Sequence, residues 1–260
     1  MNAKSVVLLS THFLNDHILK VYKKLALEIG NKYDVCLLLN TNDKNTSEIP
    51  SEVKAFVSDL DAINNLGYTP IRETLLPGSC HFPLLCFYRK HHCYKYYWFI
   101  EYDVYFSGNW SVLFNDCDMI LNDYDFLSAQ VAKYDSLTNG NWLWWTSRNN
   151  SGFPLEKSVK GFNPICRYSR KALECLDRHL SKGYYAHSEV MITTCLYNNQ
   201  LRIGDFGGQG KFVPTGWENK YYIPKSPDAD DGSIRYRPVF SINEINSWKL
   251  KNKIFHPLKG

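Results

Sequence analysis

The sequence predicts an α/β fold in which a mostly parallel sheet is flanked by helices. Apolar runs at residues 5–10 and 33–39 have the length of buried strands, and the stretch between them has helical spacing. A third run, residues 96–104, is aromatic and β-branched on both faces, which is typical of a strand buried between two layers. Polar residues follow each run, as expected at the carboxyl edge of a parallel sheet.

Composition favours one large domain and excludes several classes of protein. A chain of 260 residues with 44% hydrophobic residues can bury a substantial core, and we expect residues 1–260 to form a single unit. The net charge is +4, from 30 basic and 26 acidic residues. This excess is too small to favour nucleic acid, and no basic run is interleaved with aromatics. It is compatible with an anionic ligand such as a nucleoside diphosphate.

The eight cysteines and the hydropathy pattern predict a soluble cytoplasmic protein. The cysteines are scattered without a C-x-x-C pair, and some, such as Cys36, lie inside apolar runs where free thiols act as small apolar residues. Free thiols are usual in a reducing compartment. The sequence contains no run of about 20 apolar residues that could span a membrane. The first apolar run is too short for a signal peptide.

The N-terminal half alternates predicted strands and helices. Asn15 or Asp16 can cap a helix between the first two strands. A helix over about residues 83–94 is expected to lead into the third strand, followed by a short helix at 110–114 and a short strand at 119–121. A strand–helix–strand opening of this kind indicates a parallel, nucleotide-binding sheet.

The C-terminal half is less regular. Residues 134–165 have the composition of a loop and contain three tryptophans, Trp142, Trp144 and Trp145. Such a cluster is typical of a wall that contacts a sugar or a base, but it also fits plain core packing, and the sequence leaves both open.

Two helices are predicted beyond this segment. Ser169 precedes an amphipathic stretch, and Ser188 is the expected cap of an apolar helix that opens with Glu189. Residues 204–245 are rich in Gly, Pro and Asp and are expected to be irregular.

Two acids end the third predicted strand. Glu101 and Asp103 are one residue apart, and carboxylates cannot be buried unpaired without a large desolvation cost. They should therefore project into the crevice at the carboxyl edge of the sheet. Hard oxygen ligands there suit Mg²⁺ or Mn²⁺, which can neutralise a diphosphate. A strand end with two solvated acids fits the tripeptide equally well.

Several motifs taken together resemble the GT-A class of nucleotide-sugar glycosyltransferases. The stretch WFIEYDV at residues 98–104, followed by Gly-Asn-Trp at 108–110, is similar to the metal motif of that class, with Glu in place of the leading Asp. Three further elements match it in order along the chain: KGFN at 160–163, the acid Glu189 at a helix start, and His256 in HPLK. The resemblance implies a Rossmann-type sheet, with residues 1–125 binding the nucleotide and 126–260 binding the acceptor.

The resemblance also implies a set of site residues. Asp103 and His256 are expected to hold a divalent cation, Mn²⁺ or Mg²⁺. Glu189 is the expected general base, because a carboxylate at a helix start faces the positive end of the dipole and can take a proton from an acceptor hydroxyl. The expected donor-binding residues are Thr11, Arg89, Glu101, Asp103 and Lys259. The expected acceptor-binding residues are Trp145, Gly161, Asn163 and His187.

The predicted reaction is a metal-dependent, inverting transfer of a sugar from a nucleotide donor, UDP-linked, to a saccharide or glycolipid. A Lys-, Asn- and Tyr-rich composition suggests bacterial surface polysaccharide synthesis as its setting, and peripheral membrane association stays open. One alternative is a nucleotidyltransferase, but the loop at 10–16 lacks the glycines and basic residues that such enzymes use. Another is a non-catalytic sugar-binding protein on the same fold, which would not need Asp103, Glu189 and His256 together.

Overall fold

A seven-stranded sheet forms the centre of the computed structural model. The residues it describes are 4–41, 49–73, 75, 78–148, 150–224 and 232–259. The strands are β1 (Ser5–Thr11), β2 (Tyr33–Asn40), β3 (Ala55–Ser58), β4 (Tyr96–Glu101), β5 (Tyr105–Phe106), β6 (Phe126–Lys133), β7 (Val159–Ser169), β8 (Ile203–Asp205) and β9 (Ile254–Phe255). The order in the large sheet is β3-β2-β1-β4-β7-β6-β8, and β7 runs antiparallel to its neighbours β4 and β6. The predicted α/β class with a mostly parallel sheet is confirmed.

Helices cover both faces of this sheet. They are α1 (Asp16–Ile29), α2 (Leu60–Asn64), α3 (Phe82–Lys90), α4 (Trp110–Ile120), α5 (Arg170–Leu180), α6 (Ser188–Asn198) and α7 (Ile242–Ser247). Apolar residues of α1 and α4 join one core, and those of α3, α5 and α6 join the other. In β4, Tyr97 and Phe99 enter one core while Trp98 and Ile100 enter the other, because successive side chains of a strand point to opposite faces. This explains why the strand is apolar throughout.

The strand order reverses direction beside β1. The chain passes from β1 to β2 and β3 on one side, and β4 then pairs with β1 on the other, parallel to it. A reversal of this kind opens a crevice at the carboxyl ends of the two strands. Thr11 and Glu101, which end β1 and β4, therefore lie at the mouth of that crevice.

The helix starts follow the capping signals in most places. Asn15 Oδ1 accepts a hydrogen bond from the Ile18 N–H at 3.0 Å, and Ser169 Oγ accepts from the Ala172 N–H at 3.0 Å. The helix α6 differs by one position from the prediction, since His187 rather than Ser188 is its cap. Its imidazole accepts from the backbone of the first turn, which the sequence pattern did not reveal.

Two predicted elements are wrong. Residues 119–121 were expected to form a strand, but Met119 and Ile120 belong to α4, whose buried stripe of Trp110, Leu113, Phe114 and Cys117 has helical spacing. Met119 is 73% exposed, so its apolar character did not signal burial. Residues 160–163 were expected in a loop but lie in β7, between β4 and β6, where polar and glycine residues face α6 rather than solvent.

A small second sheet ties the C-terminus to the acid-bearing loop. The strands β5 and β9 pair antiparallel with Tyr105 opposite Phe255, which brings residue 256 beside the residues just before β5. The Leu258 N–H also donates to the carbonyl of Asp103 at 2.8 Å. The sequence separation between Asp103 and His256 is thus bridged by backbone pairing.

The described parts of the segment between β8 and α7, residues 206–224 and 232–241, are irregular, as predicted, yet they are anchored. The Tyr222 hydroxyl donates to the buried Asp205 carboxylate at 2.9 Å. All eight cysteines are free thiols. Within the described ranges, every helix is too short or too polar to traverse a bilayer.

Candidate active site

A cleft of about 650 Å³ lies at the carboxyl edge of β1 and β4. Glu101, Asp103, Glu189, His256 and Lys259 all line it, although they come from distant parts of the chain. A smaller chamber of about 200 Å³ adjoins it and shares Glu101 and Asp103 with the main cleft.

Three side chains converge on one wall of the cleft. His256 Nε2 lies 3.6 Å from Glu101 Oε2 and 3.6 Å from Asp103 Oδ1. One ligand atom from each of the three residues can be chosen so that all lie within 4.8 Å of one another. Two carboxylates and one imidazole at this spacing are a donor set for a divalent metal ion.

The tautomer of His256 is fixed by the backbone. Its Nδ1 lies 3.0 Å from the carbonyl oxygen of Arg235, and a carbonyl can only accept, so Nδ1 carries a proton. In the neutral ring the lone pair of Nε2 then points toward the two carboxylates. A ligand histidine held through its other nitrogen by a carbonyl is the usual arrangement in metal sites.

Asp103 adds a second sign that the wall fits a cation. Its Oδ1 is buried and has no hydrogen-bond donor in the part of the chain that the structure describes. Burial raises the pKa of Asp103, the charge of His256 lowers it, and the charge of Glu101 raises it again. Burial lowers the pKa of His256, but hydrogen bonding to Glu101 and the charge of Asp103 raise it above its ordinary value overall. Crowded negative charge of this kind is relieved by a bound cation, so the residues present fit Mn²⁺ or Mg²⁺.

Glu189 lies in the first turn of α6 and also lines the cleft. Its backbone N–H donates to His187 Nδ1 at 3.3 Å. Burial raises the pKa of Glu189 to about 8, the charge of Glu101 adds to this increase, and the charge of Lys160 opposes it. A carboxyl group whose pKa is near neutrality is suited to exchange a proton with a substrate.

His187 is held between a tryptophan and a glycine. Its ring stacks on Trp144 with centroids 4.1 Å apart and planes 9° apart. Burial lowers the pKa of His187 to about 4, and the charge of Arg72 adds to this, so the imidazole is neutral at pH 7. A Cβ at Gly78 would lie 2.7 Å from Ile71 and 3.0 Å from His187, and its φ of +105° also favours glycine. The start of α6 therefore depends on a close approach of the backbone at Gly78.

The two predicted acceptor residues on β7 support α6. Asn163 Nδ2 donates to the carbonyl of Ser188 in α6 at 3.4 Å, its Oδ1 accepts from Ser128 Oγ of β6 at 2.6 Å, and Asn163 also lines the cleft. A Cβ at Gly161 would meet Thr193 Oγ1 of α6 at 2.7 Å. Gly161 thus allows α6, and Glu189 with it, to approach the sheet closely.

Besides Glu101 and Asp103, two other predicted donor residues lie at the main cleft or at the smaller chamber. Thr11 is buried at the end of β1 and lines the smaller chamber, where its hydroxyl donates to the Phe13 carbonyl at 2.8 Å. Lys259 is exposed at the rim of the main cleft, three residues beyond His256. Both positions are compatible with contacts to a nucleotide.

The expected contact of Arg89 with the donor is corrected by its position. Arg89 is at the end of α3, which returns the chain to the amino end of β4, whereas Glu101 is at the carboxyl end. A strand of this length separates the two ends by roughly 17 Å. Arg89 instead pairs with Asp177 at 2.7 Å and also donates to the carbonyl of Leu66.

We expect Arg89→Gln to destabilise the fold slightly and to leave the binding of a nucleoside diphosphate unchanged. The ion pair with Asp177 is partly exposed, so its loss should cost about 1 kcal/mol or less, which corresponds to a fall of roughly 2–4 °C in Tm. Differential scanning fluorimetry and calorimetric titration with a nucleoside diphosphate test the two parts. Weaker binding of the diphosphate would restore Arg89 to the site.

The tryptophans divide between the two roles that the sequence left open. Trp145 is buried, its indole N–H donates to the Asn139 carbonyl at 2.8 Å, and it does not line the cleft. Trp144 lines the cleft instead, and its ring stacks on that of His187, which also lines it. Both tryptophans lie in a 3₁₀ segment, Leu143–Arg148, where adjacent residues point in different directions, so composition alone could not select between them. Lys160, although part of the KGFN motif, and Arg237 were not among the predicted site residues, but both lie near these tryptophans.

The solved structures that are similar to this chain include glycosyltransferases. No family model and no curated protein matches it. The mouse xyloside xylosyltransferase 1 structure is 10% identical, aligns over 80% of this chain and 86% of its own, and has a TM-score of 0.41. The galactosyltransferase LgtC, solved with donor and acceptor sugar analogues, is 8% identical over 78% and 73%, with a TM-score of 0.46. Glucosyl-3-phosphoglycerate synthase from Mycobacterium tuberculosis, solved with Mn²⁺, UDP and phosphoglyceric acid, is 14% identical over 78% and 68%, with a TM-score of 0.46. At these scores and identities the likeness alone supports no activity for this chain.

Proposed function

We propose that this protein is a metal-dependent glycosyltransferase that moves a sugar from a nucleotide donor, UDP-linked, to a saccharide or glycolipid hydroxyl. One observation carries the proposal: Glu101, Asp103 and His256 converge in a cleft that Glu189 also lines. A metal-binding wall and a separate protonatable carboxyl group are the two parts that such a transfer needs.

The donor is assigned to the side of the cleft formed by the ends of β1 and β4. The nucleoside fits the smaller chamber beside Thr11, and the diphosphate reaches toward Lys259. Asp103 and His256 would hold Mn²⁺ or Mg²⁺, and Glu101, at the same distance from Nε2, adds its charge or contacts the donor. When bound, the cation would supply neutralisation of the diphosphate and of the charge that develops on it as it leaves.

Glu189 is assigned as the general base. Its carboxylate takes the proton of the acceptor hydroxyl as that oxygen attacks the anomeric carbon, and the bond from this carbon to the phosphate oxygen breaks with the electron pair going to the nucleoside diphosphate. Such a single displacement inverts the anomeric configuration. NMR analysis of the product anomer tests this step, and retention would contradict the role of Glu189 as base.

The two halves of the chain are assigned to the donor and acceptor sides of the cleft. Residues 1–125 supply most of the donor side, and residues 126–260 supply the acceptor side, with Asn163 and His187 on its wall. Synthesis of bacterial surface polysaccharide in the cytoplasm is the proposed setting, on the basis of the Lys-, Asn- and Tyr-rich composition.

We expect Mn²⁺ and UDP to stabilise the protein together. If UDP binds through the cation, saturating concentrations of both should raise Tm by about 5 °C or more, and UDP without metal should raise it much less. Differential scanning fluorimetry with UDP and GDP measures this, and UDP release from a panel of nucleotide sugars identifies the donor. An unchanged Tm with manganese and either nucleotide would overturn the proposed function in favour of a protein that binds sugar without catalysis.

A further inference from the structure

A second chamber of about 470 Å³ opens beside Glu189. It shares Trp144, Phe162, Glu189, Tyr236 and Arg237 with the main cleft, so the two spaces are continuous. The metal-binding wall does not line this chamber. A molecule bound in it could therefore reach Glu189 without contacting the cation.

The walls of this chamber are suited to a sugar ring. Trp142, Trp144 and Tyr236 supply aromatic faces, and Gln130 supplies an amide. Rings of this kind bury the apolar faces of sugars while polar groups at the edge bind hydroxyls.

More cationic than anionic side chains line the chamber. Lys160 and Arg237 both line it, and Glu189 is the one carboxylate among its described lining residues. Arg235 also lines it, but this side chain is engaged with Glu244 at 2.9 Å and with the carbonyl of Pro238. The chamber thus has two cations, apart from Arg235, for a single acid.

Lys160 lacks a carboxylate at ion-pair distance among the described residues. Its Nζ lies 5.1 Å from the centroid of the Trp142 ring. Burial lowers the pKa of Lys160, and only the more distant charge of Glu189 opposes this effect. Arg237 is exposed, with its guanidinium 5.7 Å from the Tyr236 ring centroid. Removing an ammonium from water is costly unless an anion compensates it, and no carboxylate in the described part of the chain lies close enough to Lys160 to do so.

We propose that the second chamber binds an acidic saccharide acceptor, whose carboxylate or phosphate pairs with Lys160 and Arg237 while a hydroxyl reaches Glu189. This inference rests on the proposed glycosyltransferase function and adds the substrate class. Both anions share the chemistry that the two cations recognise, since each offers charged oxygens to N–H donors. A neutral acceptor would leave Lys160 desolvated and unpaired.

The main competing role for Lys160 is to tune Glu189. A nearby ammonium favours the carboxylate form of Glu189 whatever the acceptor is. In that case Lys160→Gln would shift the pH dependence of transfer equally for acidic and neutral acceptors. An anion-binding role instead changes the affinity for acidic sugars alone.

Binding of three matched sugars to the full chain separates these roles. The probes are methyl glucuronide, methyl glucoside phosphorylated at its primary hydroxyl, and unmodified methyl glucoside, each titrated with Mn²⁺ and UDP present. We expect at least one acidic probe to bind about tenfold or more tightly than the neutral one. Whichever acidic sugar binds more tightly shows whether the chamber prefers a carboxylate or a phosphate. Lys160→Gln should abolish this preference and Arg237→Gln should reduce it. The exposed Lys157 provides a matched control, since Lys157→Gln should retain it.

The outcomes also separate this proposal from the function on which it rests. Each variant is first titrated with Mn²⁺ and UDP, and normal binding establishes that it is folded. Normal UDP binding together with equal or absent binding of the three sugars at millimolar concentration overturns the acidic acceptor and leaves the transferase intact. A preference that persists in Lys160→Gln also overturns it. If the wild-type chain does not bind UDP, both the acidic acceptor and the proposed glycosyltransferase function are overturned.

Discussion

Asp103→Ala is expected to abolish sugar transfer and the effect of manganese on UDP binding. Asp103 provides a carboxylate that lies 3.6 Å from Nε2 of His256, and its Oδ1 has no hydrogen-bond donor within the described residues. The alanine variant leaves an imidazole and one glutamate, which is a poor site for a hard cation. We expect kcat/KM to fall by about a hundredfold or more, because even residues behind a metal ligand can contribute 10–100-fold. Steady-state UDP release and calorimetric titration of UDP with and without Mn²⁺ measure the two effects.

The same substitution should not weaken the fold. A buried carboxylate oxygen without a donor, next to the charge of Glu101, is a source of strain in the metal-free protein. We therefore expect Tm without metal to stay constant or rise in Asp103→Ala. Asp61→Ala, at an exposed position of α2, is the control and should behave as wild type. Full activity in Asp103→Ala would show that the metal assignment is wrong.

Glu189→Gln is expected to reduce kcat by about 10²–10⁴-fold with little change in the affinity for UDP. A general base contributes this much, and the amide cannot accept the acceptor proton. The pKa of Glu189 is raised to about 8, so the fraction of carboxylate increases as the pH rises through that value. Because the carboxylate is the active form of a base, kcat/KM of the wild type should increase with pH and level off above about 8. The rise assigned to Glu189 should be absent from the glutamine variant.

Measurements of rate and affinity together distinguish this role from helix capping. Glu189 lies in the first turn of α6, where a negative charge also stabilises the helix. If the residue is only structural, Glu189→Gln should lower Tm and reduce UDP affinity and kcat to similar extents. Glu174→Gln, at an exposed position of α5, is the matched control for loss of a carboxylate. A wild-type pH profile in the Glu189 variant would exclude it as the base.

Much of the fold could be predicted because its signals are local. The strands β1, β2 and β4 have more consecutive apolar residues than a strand with one face in solvent would have. The caps Asn15 and Ser169 lie next to the helices that they start. Burial was harder to predict where apolar character and exposure diverge. Met119 follows the composition of a strand but lies on the solvent side of α4. The first part of β7, up to residue 165, was taken for a loop, although Gly161 and Asn163 face the helix α6 instead of water.

The candidate site was predictable where a residue ends a strand or starts a helix. Glu101 and Asp103 follow β4, and Glu189 opens α6, so their positions follow from the element boundaries. Arg89 was misplaced because proximity in sequence to the acid-bearing strand put it at the wrong end of that strand. Lys160 was overlooked because a single lysine in a polar stretch does not reveal that it will face a chamber.

The sequence alone determined the chemistry that this chain can offer: two hard oxygen ligands at a strand end, a distant histidine and an acid at a helix start. Those features depend on residue type and local spacing. Only the tertiary structure decided which of them meet. His256 reaches Asp103 because β9 pairs with β5, and Lys160 lines the same chamber as Glu189 because β7 packs beneath α6. Contacts of this kind depend on strand register and packing between distant segments, which no local pattern encodes.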